Sequence, residues 1–229
     1  MHSERISTAW VCTFGLPRSW KWDTFDFQTS QLKNLVSQDG ELFYLADFLS
    51  PPDAVECFAR LRDELDWQQE VATLVGRRVP IPRLVYWYGD EGSVYQYSGL
   101  THYPQAWTET LFGLKQSMEN ASGHGFNSVL GNLYRDGQDS MGWHADREKV
   151  LGINPFIASL SLGAERLFKM RHNKTGETLD IPLASGSLLL MGGSLQHHWR
   201  HCVPKSRQPL SARINLTFRN IINQGLSNR

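Results

Sequence analysis

Between Asn127 and Arg219 the chain breaks into short strand-like stretches, NSVLGNLYR, MGWHADR, PFIASLSL, ERLFKMRH, SGSLLLM, HHWRHCV and SARINLTFR, punctuated by glycine, proline and aspartate. Many short strands at close intervals with turn residues between them indicate a sandwich or jelly roll. The last stretch, RINLTFR, alternates cleanly. Side chains on a strand point to opposite faces with a period of two, so Arg213, Asn215, Thr217 and Arg219 share one face and Ile214, Leu216 and Phe218 the other. The ordinary reading is a half-buried strand with its polar side in water. Two arginines flanking two small polar residues, with no acid among them, ask for another.

Upstream the period changes. In LSPPDAVECFARLRDELDW, Ser50 can cap a helix begun by proline, and Val55, Phe58, Leu61 and Leu65 then recur at helical spacing. Trp107, Leu111, Leu114 and Met118 mark a second amphipathic helix. Between the two, Thr73 to Gly99 mixes prolines, glycines and aromatics with arginines and reads as a loop or ribbon. Residues 1–40 are aperiodic, with Trp10, Phe14, Trp20, Trp22, Phe25 and Phe27 scattered through them, and are expected to wrap the domain as an extension. The fold class expected is α+β, rich in β: a single domain with supporting helix region 41–71, an irregular segment 72–104 and a core over 105–222.

Composition narrows the partners. Lysines and arginines number 23 against 23 acids, with a pI near 7.1, so no global basic field draws the chain onto nucleic acid and any polyanion must be held by a local patch. Cys12, Cys57 and Cys202 are odd in number and widely spaced, as reduced thiols in an intracellular protein are. No run approaches the ~18 apolar residues of a membrane span, and MHSERISTAW lacks the apolar stretch of a secretion signal. A soluble intracellular protein, expected to be monomeric and without a membrane partner, follows.

His144 and Asp146 in GWHADRE stand two apart, hence on one strand face; alone, such a pair is more often an ordinary surface hydrogen bond. HHWRHCVP adds three more imidazoles, His197, His198 and His201. Two histidines and one carboxylate on one face of a metal leave adjacent coordination positions open, the arrangement of non-haem Fe(II) oxygenases, for O2 and a co-substrate. That co-substrate is commonly 2-oxoglutarate. Its distal carboxylate, once buried, needs a fixed cation, and a guanidinium offers a planar two-pronged match. Arg213 and Arg219 are candidates; at ~3.3 Å per residue they lie about 20 Å apart at most, so they serve different groups.

These pieces in this order, H-A-D, H-C-V-P and R-I-N-L-T-F-R, together with P-R-L-V-Y-W-Y-G-D, S-G-L and N-L-Y-R-D-G, resemble the AlkB family of Fe(II)/2-oxoglutarate dioxygenases, closest to its DNA-repair branch, over roughly residues 70 to 222. The resemblance implies a double-stranded β-helix core over 105–222 and a nucleotide-recognition lid over 72–104. It implies His144, Asp146 and His201 as metal ligands and catalytic residues, with His197 and His198 left to strand and loop positions. Asn132, Tyr134 and Asn215 would hydrogen-bond 2-oxoglutarate, Arg213 would pair with its distal carboxylate, and Arg219 would stand nearer the iron. Fe(II), 2-oxoglutarate and O2 are the implied cofactors.

The implied activity is oxidative demethylation of N1-methyladenine and N3-methylcytosine in DNA, single- or double-stranded, with release of formaldehyde, succinate and CO2; RNA, a protein, a small molecule, or a non-catalytic binding role stay as alternatives. A methyl on a ring nitrogen offers hydrolysis no route, so its C–H bond must be oxidised, and a base in a duplex must first be flipped out. Tyr95, Tyr97 and Ser98 in VYQYSG match the base-stacking part of the pocket, and Glu148 would accept from the exocyclic amine of the damaged base. Arg83, with Arg77 and Arg78, forms the densest basic cluster, and Lys205 with Arg207 a second. Val75, beside Leu74, stands where duplex-specialised members carry an aromatic finger, so strong duplex preference is not expected. The resemblance implies action in the cytoplasm if bacterial and in the nucleus if eukaryotic.

Overall fold

The computed structural model describes residues 32–74, 76–97 and 100–222. Strands are labelled in chain order: β1 (Glu41–Leu45), β2 (Val71–Leu74), β3 (Arg77–Pro80), β4 (Leu84–Gly89), β5 (Tyr95–Tyr97), β6 (Leu100–His102), β7 (Ser128–Tyr134), β8 (Met141–His144), β9 (Ile157–Gly163), β10 (Arg166–His172), β11 (Thr178–Leu183), β12 (Leu188–Gly192), β13 (Trp199–Val203) and β14 (Arg213–Arg219). The helices are α1 (Pro51–Glu64), α2 (Glu109–Ser122) and the single-turn α3 (Leu195–His198).

A six-stranded sheet runs β1-β12-β9-β14-β7-β4 and a four-stranded sheet runs β11-β10-β13-β8, every neighbouring pair antiparallel. From β7 to β14 the chain passes back and forth between the two sheets, with β10 and β11 as a hairpin within the smaller one, which is a jelly roll. Its larger sheet is buried on both faces. One face packs on the helices, where Leu61, Leu111, Leu114 and Met118 meet Leu160, Leu216 and Phe218. The other lies over the smaller sheet, where Tyr134, Leu189 and Met191 meet Phe168, Met170 and Trp199.

β14 sits at the centre of the larger sheet, between β7 and β9, and every residue from Arg213 to Arg219 is buried. Its apolar face points at the helices, so its polar face looks into the space between the sheets. Water on that side, the ordinary reading of an alternating strand, is excluded.

The helices start as their capping residues dictate: Ser50 Oγ accepts the Asp53 amide and Thr108 Oγ1 the Leu111 amide, with Gly123 in the left-handed conformation closing α2. α1 is rotated relative to the expected face. Ala54, Cys57 and Leu61 point inward while Val55 is 69% exposed, because one residue is about 100° of helical rotation. The stretch 72–104 is not one appendage: Leu84–Gly89 is a full edge strand of the larger sheet, buried along most of its length, while β2–β3 and β5–β6 form separate small hairpins. Likewise 41–71 holds a sheet strand, β1, as well as a helix. Residues 1–31, with the aromatics noted above, lie outside the described residues, as do Val75 and Ser98.

Candidate metal and co-substrate site

His144 and His201 are directly opposite in the β8–β13 register, which brings their rings to 4.3 Å between centroids. β8 ends at His144, so Asp146 follows the strand instead of lying along it. It still reaches the same place: the three side chains each offer one ligand atom, all within 4.8 Å of one another.

Each donor is prepared. His144 Nδ1 lies 2.9 Å from the Gly142 carbonyl, which only accepts, so Nδ1 carries a hydrogen and it is Nε2 that faces the group, 3.7 Å from Asp146 Oδ1. Burial, followed by the neighbouring His144, lowers His201 to about 3, so its imidazole is neutral. Burial pushes the Asp146 carboxyl up, but the Arg219 guanidinium and both imidazoles outweigh it and hold the group at about 2. Arg219 Nη2 donates to Asp146 Oδ2 at 3.0 Å with both side chains buried. At neutral pH the group therefore carries one full carboxylate and a deprotonated imidazole, the state a divalent cation requires.

A narrow cavity opens from this group between the sheets, walled by Asn132, Tyr134, Asn215, Thr217 and Arg219 besides the three ligand-capable residues. Asn132 and Asn215 are cross-strand partners on β7 and β14. Asn215 Nδ2 donates to Ser159 Oγ at 2.8 Å and to the Leu160 carbonyl at 3.0 Å, and Thr217 Oγ1 donates to Asn215 Oδ1. Its amide donor is thereby turned to β9, so a ligand in the cavity meets Asn215 with that donor already engaged.

Arg213 stands just beyond the cavity wall, its guanidinium carbon 5.1 Å from the centre of the Tyr134 ring. Only 1% exposed, it donates Nη2 to Ser161 Oγ at 2.9 Å, while its Nε and Nη1 have no hydrogen-bond partner. Burial lowers it to about 10, still charged at neutral pH. Arg166, its guanidinium carbon 5.4 Å from the centre of the same ring, spends its guanidinium on the carbonyls of Asp136, Asp139 and Pro204. A buried cation with two free donors is costly unless an anion meets it. The fit to a dicarboxylate is direct: a metal-ready group at one end of the polar face of β14 and an unmet guanidinium at the other.

The substrate-side expectations divide. Arg83 is not a surface cation; it is 4% exposed and donates Nε to Asn132 Oδ1 at 2.7 Å, because it enters β4 pointing between the sheets. Arg77 and Arg78 are exposed on β3. Glu148 is half-buried at the start of a short 3-10 turn, Lys149–Leu151, and is not on the cavity wall. Tyr95 and Tyr97 belong to the β5–β6 hairpin; their side chains, with Ser98 and Val75, lie outside the described residues.

A second histidine cluster, Asp39, His172 and His198, also has its donor atoms within 4.8 Å. Its chemistry is different. His172 Nδ1 accepts the backbone N–H groups of Lys174 and Thr175, so the hydrogen sits on Nε2, which donates to Asp39 Oδ2 at 3.0 Å. With both nitrogens engaged, His172 has no lone pair for a metal, and the cluster pins the 34–40 segment to the smaller sheet. His198 stacks on His172, and His197 contacts the Ile153 carbonyl and Asn154 Oδ1.

Sequence reasoning passed over Ser159, Ser161 and Gln196. The two serines were findable, since A-S-L-S-L repeats the period that marks β14. Gln196 gave no signal.

Residues 41–219 match the 2OG-Fe(II) oxygenase superfamily. The chain belongs to that superfamily. Within it the similarity runs to AlkB proteins, making the chain an AlkB-family member: it is 40% identical over 184 residues to alpha-ketoglutarate-dependent dioxygenase alkB homolog 3 of Rattus norvegicus, covering 76% of this chain and 62% of that protein. It is 36% identical over 181 residues to DNA oxidative demethylase ALKBH2 of Homo sapiens, covering 74% and 69%. This AlkB-family chain spans just under two-thirds of the length of the alkB homolog 3 relatives. The solved structure of OsALKBH1 aligns with a TM-score of 0.58 at 19% identity, covering 78% of this chain and 97% of that one, and shares the fold. The superfamily's two requirements, Fe(II) and 2-oxoglutarate, fit the donor set and the unmet Arg213 of this AlkB-family chain.

Proposed function

We propose that this chain is an Fe(II)/2-oxoglutarate-dependent demethylase of N-alkylated bases in nucleic acid, acting on N1-methyladenine and N3-methylcytosine in DNA inside the cell. The observation that carries it is the combination of the His144–Asp146–His201 group, at the cavity, with the buried, unmet Arg213 behind Tyr134 of the cavity wall. His144, Asp146 and His201 would hold the iron. Arg213, supported by Ser161 and Tyr134, would hold the distal carboxylate of 2-oxoglutarate, and Asn132, oriented by Arg83, would contact it on the way. Fe(II), when bound with O2 and 2-oxoglutarate, would supply the oxidation of the methyl C–H bond, one oxygen atom going to the methyl and the other to succinate as CO2 leaves, and the N-hydroxymethyl base would then release formaldehyde.

The protein's own part is placement and dryness. Arg219 keeps Asp146 ionised and turned, leaving its Oδ1 for the metal. Phe168, Met191 and Val203 line the cavity with apolar surface that keeps water from the reacting methyl. The nucleic-acid substrate rests on the similarity to alkB homolog 3 and to DNA oxidative demethylase ALKBH2, since 23 basic against 23 acidic residues supply no global basic field. Incubation of single- and double-stranded oligonucleotides carrying either lesion with Fe(II) and 2-oxoglutarate tests the reading. A loss of 14 mass units matched by succinate is expected; no loss on any of them overturns the proposal.

A further inference from the structure

We infer that Gln196 is a positioning residue for the metal group, an inference that rests on His144, Asp146 and His201 being the metal ligands. Asp146 comes after β8 has ended, so no ladder hydrogen bond fixes its backbone. Its amide is held from elsewhere: the Asp146 N–H donates to Gln196 Oε1 at 2.9 Å, fifty residues along the chain. Gln196 lies in α3, is 2% exposed, and has its Nε2 on Met191 Sδ at 3.6 Å. The backbone donor settles which way the amide faces, because only the oxygen can accept.

Asp146 is thus fixed at two points from two different elements, α3 and the end of β14. Gln196 sets where its backbone stands, and Arg219 takes Oδ2, so that Oδ1 alone is left toward His144. The neighbouring His197 contacts Ile153 and Asn154, so α3 grips the 146–154 segment at both ends. The three ligands then share one support: α3 runs directly into β13, which carries His201, and β13 pairs with β8, which carries His144. Removing the acceptor frees the Asp146 backbone and leaves a buried N–H without a partner.

Outer-shell partners of this kind change metal affinity by about 10–100-fold when lost. The test is Mn2+ binding to the metal-free full chain, followed by the electron paramagnetic resonance of the free ion, for wild type, Q196M and Q196N, with H201A as the ligand-loss control. Q196M is expected to bind Mn2+ at least about tenfold more weakly while its metal-free circular dichroism and its 2-oxoglutarate affinity at saturating Mn2+ stay within about twofold of wild type. Q196N, one methylene short, is expected to fall between the two. Wild-type affinity in Q196M, or weakening that comes with loss of the metal-free fold in both variants, overturns the positioning role. A wild type that binds no Mn2+, or an H201A that binds as well as wild type, overturns the metal-site reading beneath it.

Discussion

Arg213 concentrates the logic of the site in one side chain: a guanidinium deep between two sheets with one hydroxyl partner and two idle donors. A charged hydrogen bond of this type contributes about 1.5–3 kcal/mol, so Arg213→Ala should weaken 2-oxoglutarate binding roughly 10–100-fold, measured by titration in the presence of Mn2+, with little loss of fold. Equal affinity in the variant would mean that the co-substrate binds elsewhere. His201 supports a second prediction, in pH. Its folded value of about 3 lies below the ordinary 6.5, so between those values the unfolded chain takes up a proton that the folded chain refuses. Stability of the metal-free protein must therefore fall as pH drops through that window. Asp146, held at about 2 against an ordinary 3.8, adds a loss of the same sign below about pH 4. The urea midpoint should drop between pH 7 and 5, and His201→Asn should flatten that drop; an equally steep fall in the variant would assign it to other groups.

Among the elements, β4 and β7 make the tightest crossing. Gly131 faces Tyr86, and a β-carbon there would sit 2.0 Å from the tyrosine ring, so the pair works only with glycine. The Tyr86 hydroxyl is buried with no hydrogen-bond partner, and burial raises its pKa well above the ordinary value. Because an unmet buried hydroxyl costs about 1–3 kcal/mol, Tyr86→Phe should leave the protein as stable or more so, read as a urea midpoint that does not fall. A lower midpoint would reveal a partner for the hydroxyl. This element also shows where sequence reading fails. LVYWYG carries no alternation because both its faces are covered, so its hydrophobic run looked like ribbon. RINLTFR was legible because one face is apolar and the other is chemistry. TLDIPL also alternates, with Leu179, Ile181 and Leu183 on the inner face, but its proline, which only an edge strand tolerates, hid the strand.

At the scale of the whole molecule, the jelly roll and the meeting of His144, Asp146 and His201 were readable from strand spacing and from motif order, whereas the supports were not. Gln196, Ser161 and the inward turn of Arg83 depend on which loops the fold brings together, and nothing local in the chain encodes that. The same topology makes a global prediction. A ligand that binds only the folded state stabilises it by about 2.7 kcal/mol at a hundredfold excess over its dissociation constant. Mn2+ with 2-oxoglutarate should therefore raise the melting temperature of the wild type by several degrees, and the share added by 2-oxoglutarate should shrink sharply in Arg213→Ala. No described helix is long and apolar enough to cross a membrane.

β14 carries Arg213 at one end, Arg219 at the other, and is locked into register by β7 on one side and β9 on the other. The strand therefore acts as a ruler with coarse graduations. Inward-facing positions recur only every second residue, about 6.6 Å apart, and an inserted residue would turn every polar side chain toward the helices. The span between the two anchors cannot be adjusted in fine increments. With Arg213 holding the distal carboxylate as proposed, a shorter or longer dicarboxylate would call for a different reach of the side chain at position 213, so analogue length should be selected in steps, with one diacid preferred and its neighbours rejected sharply.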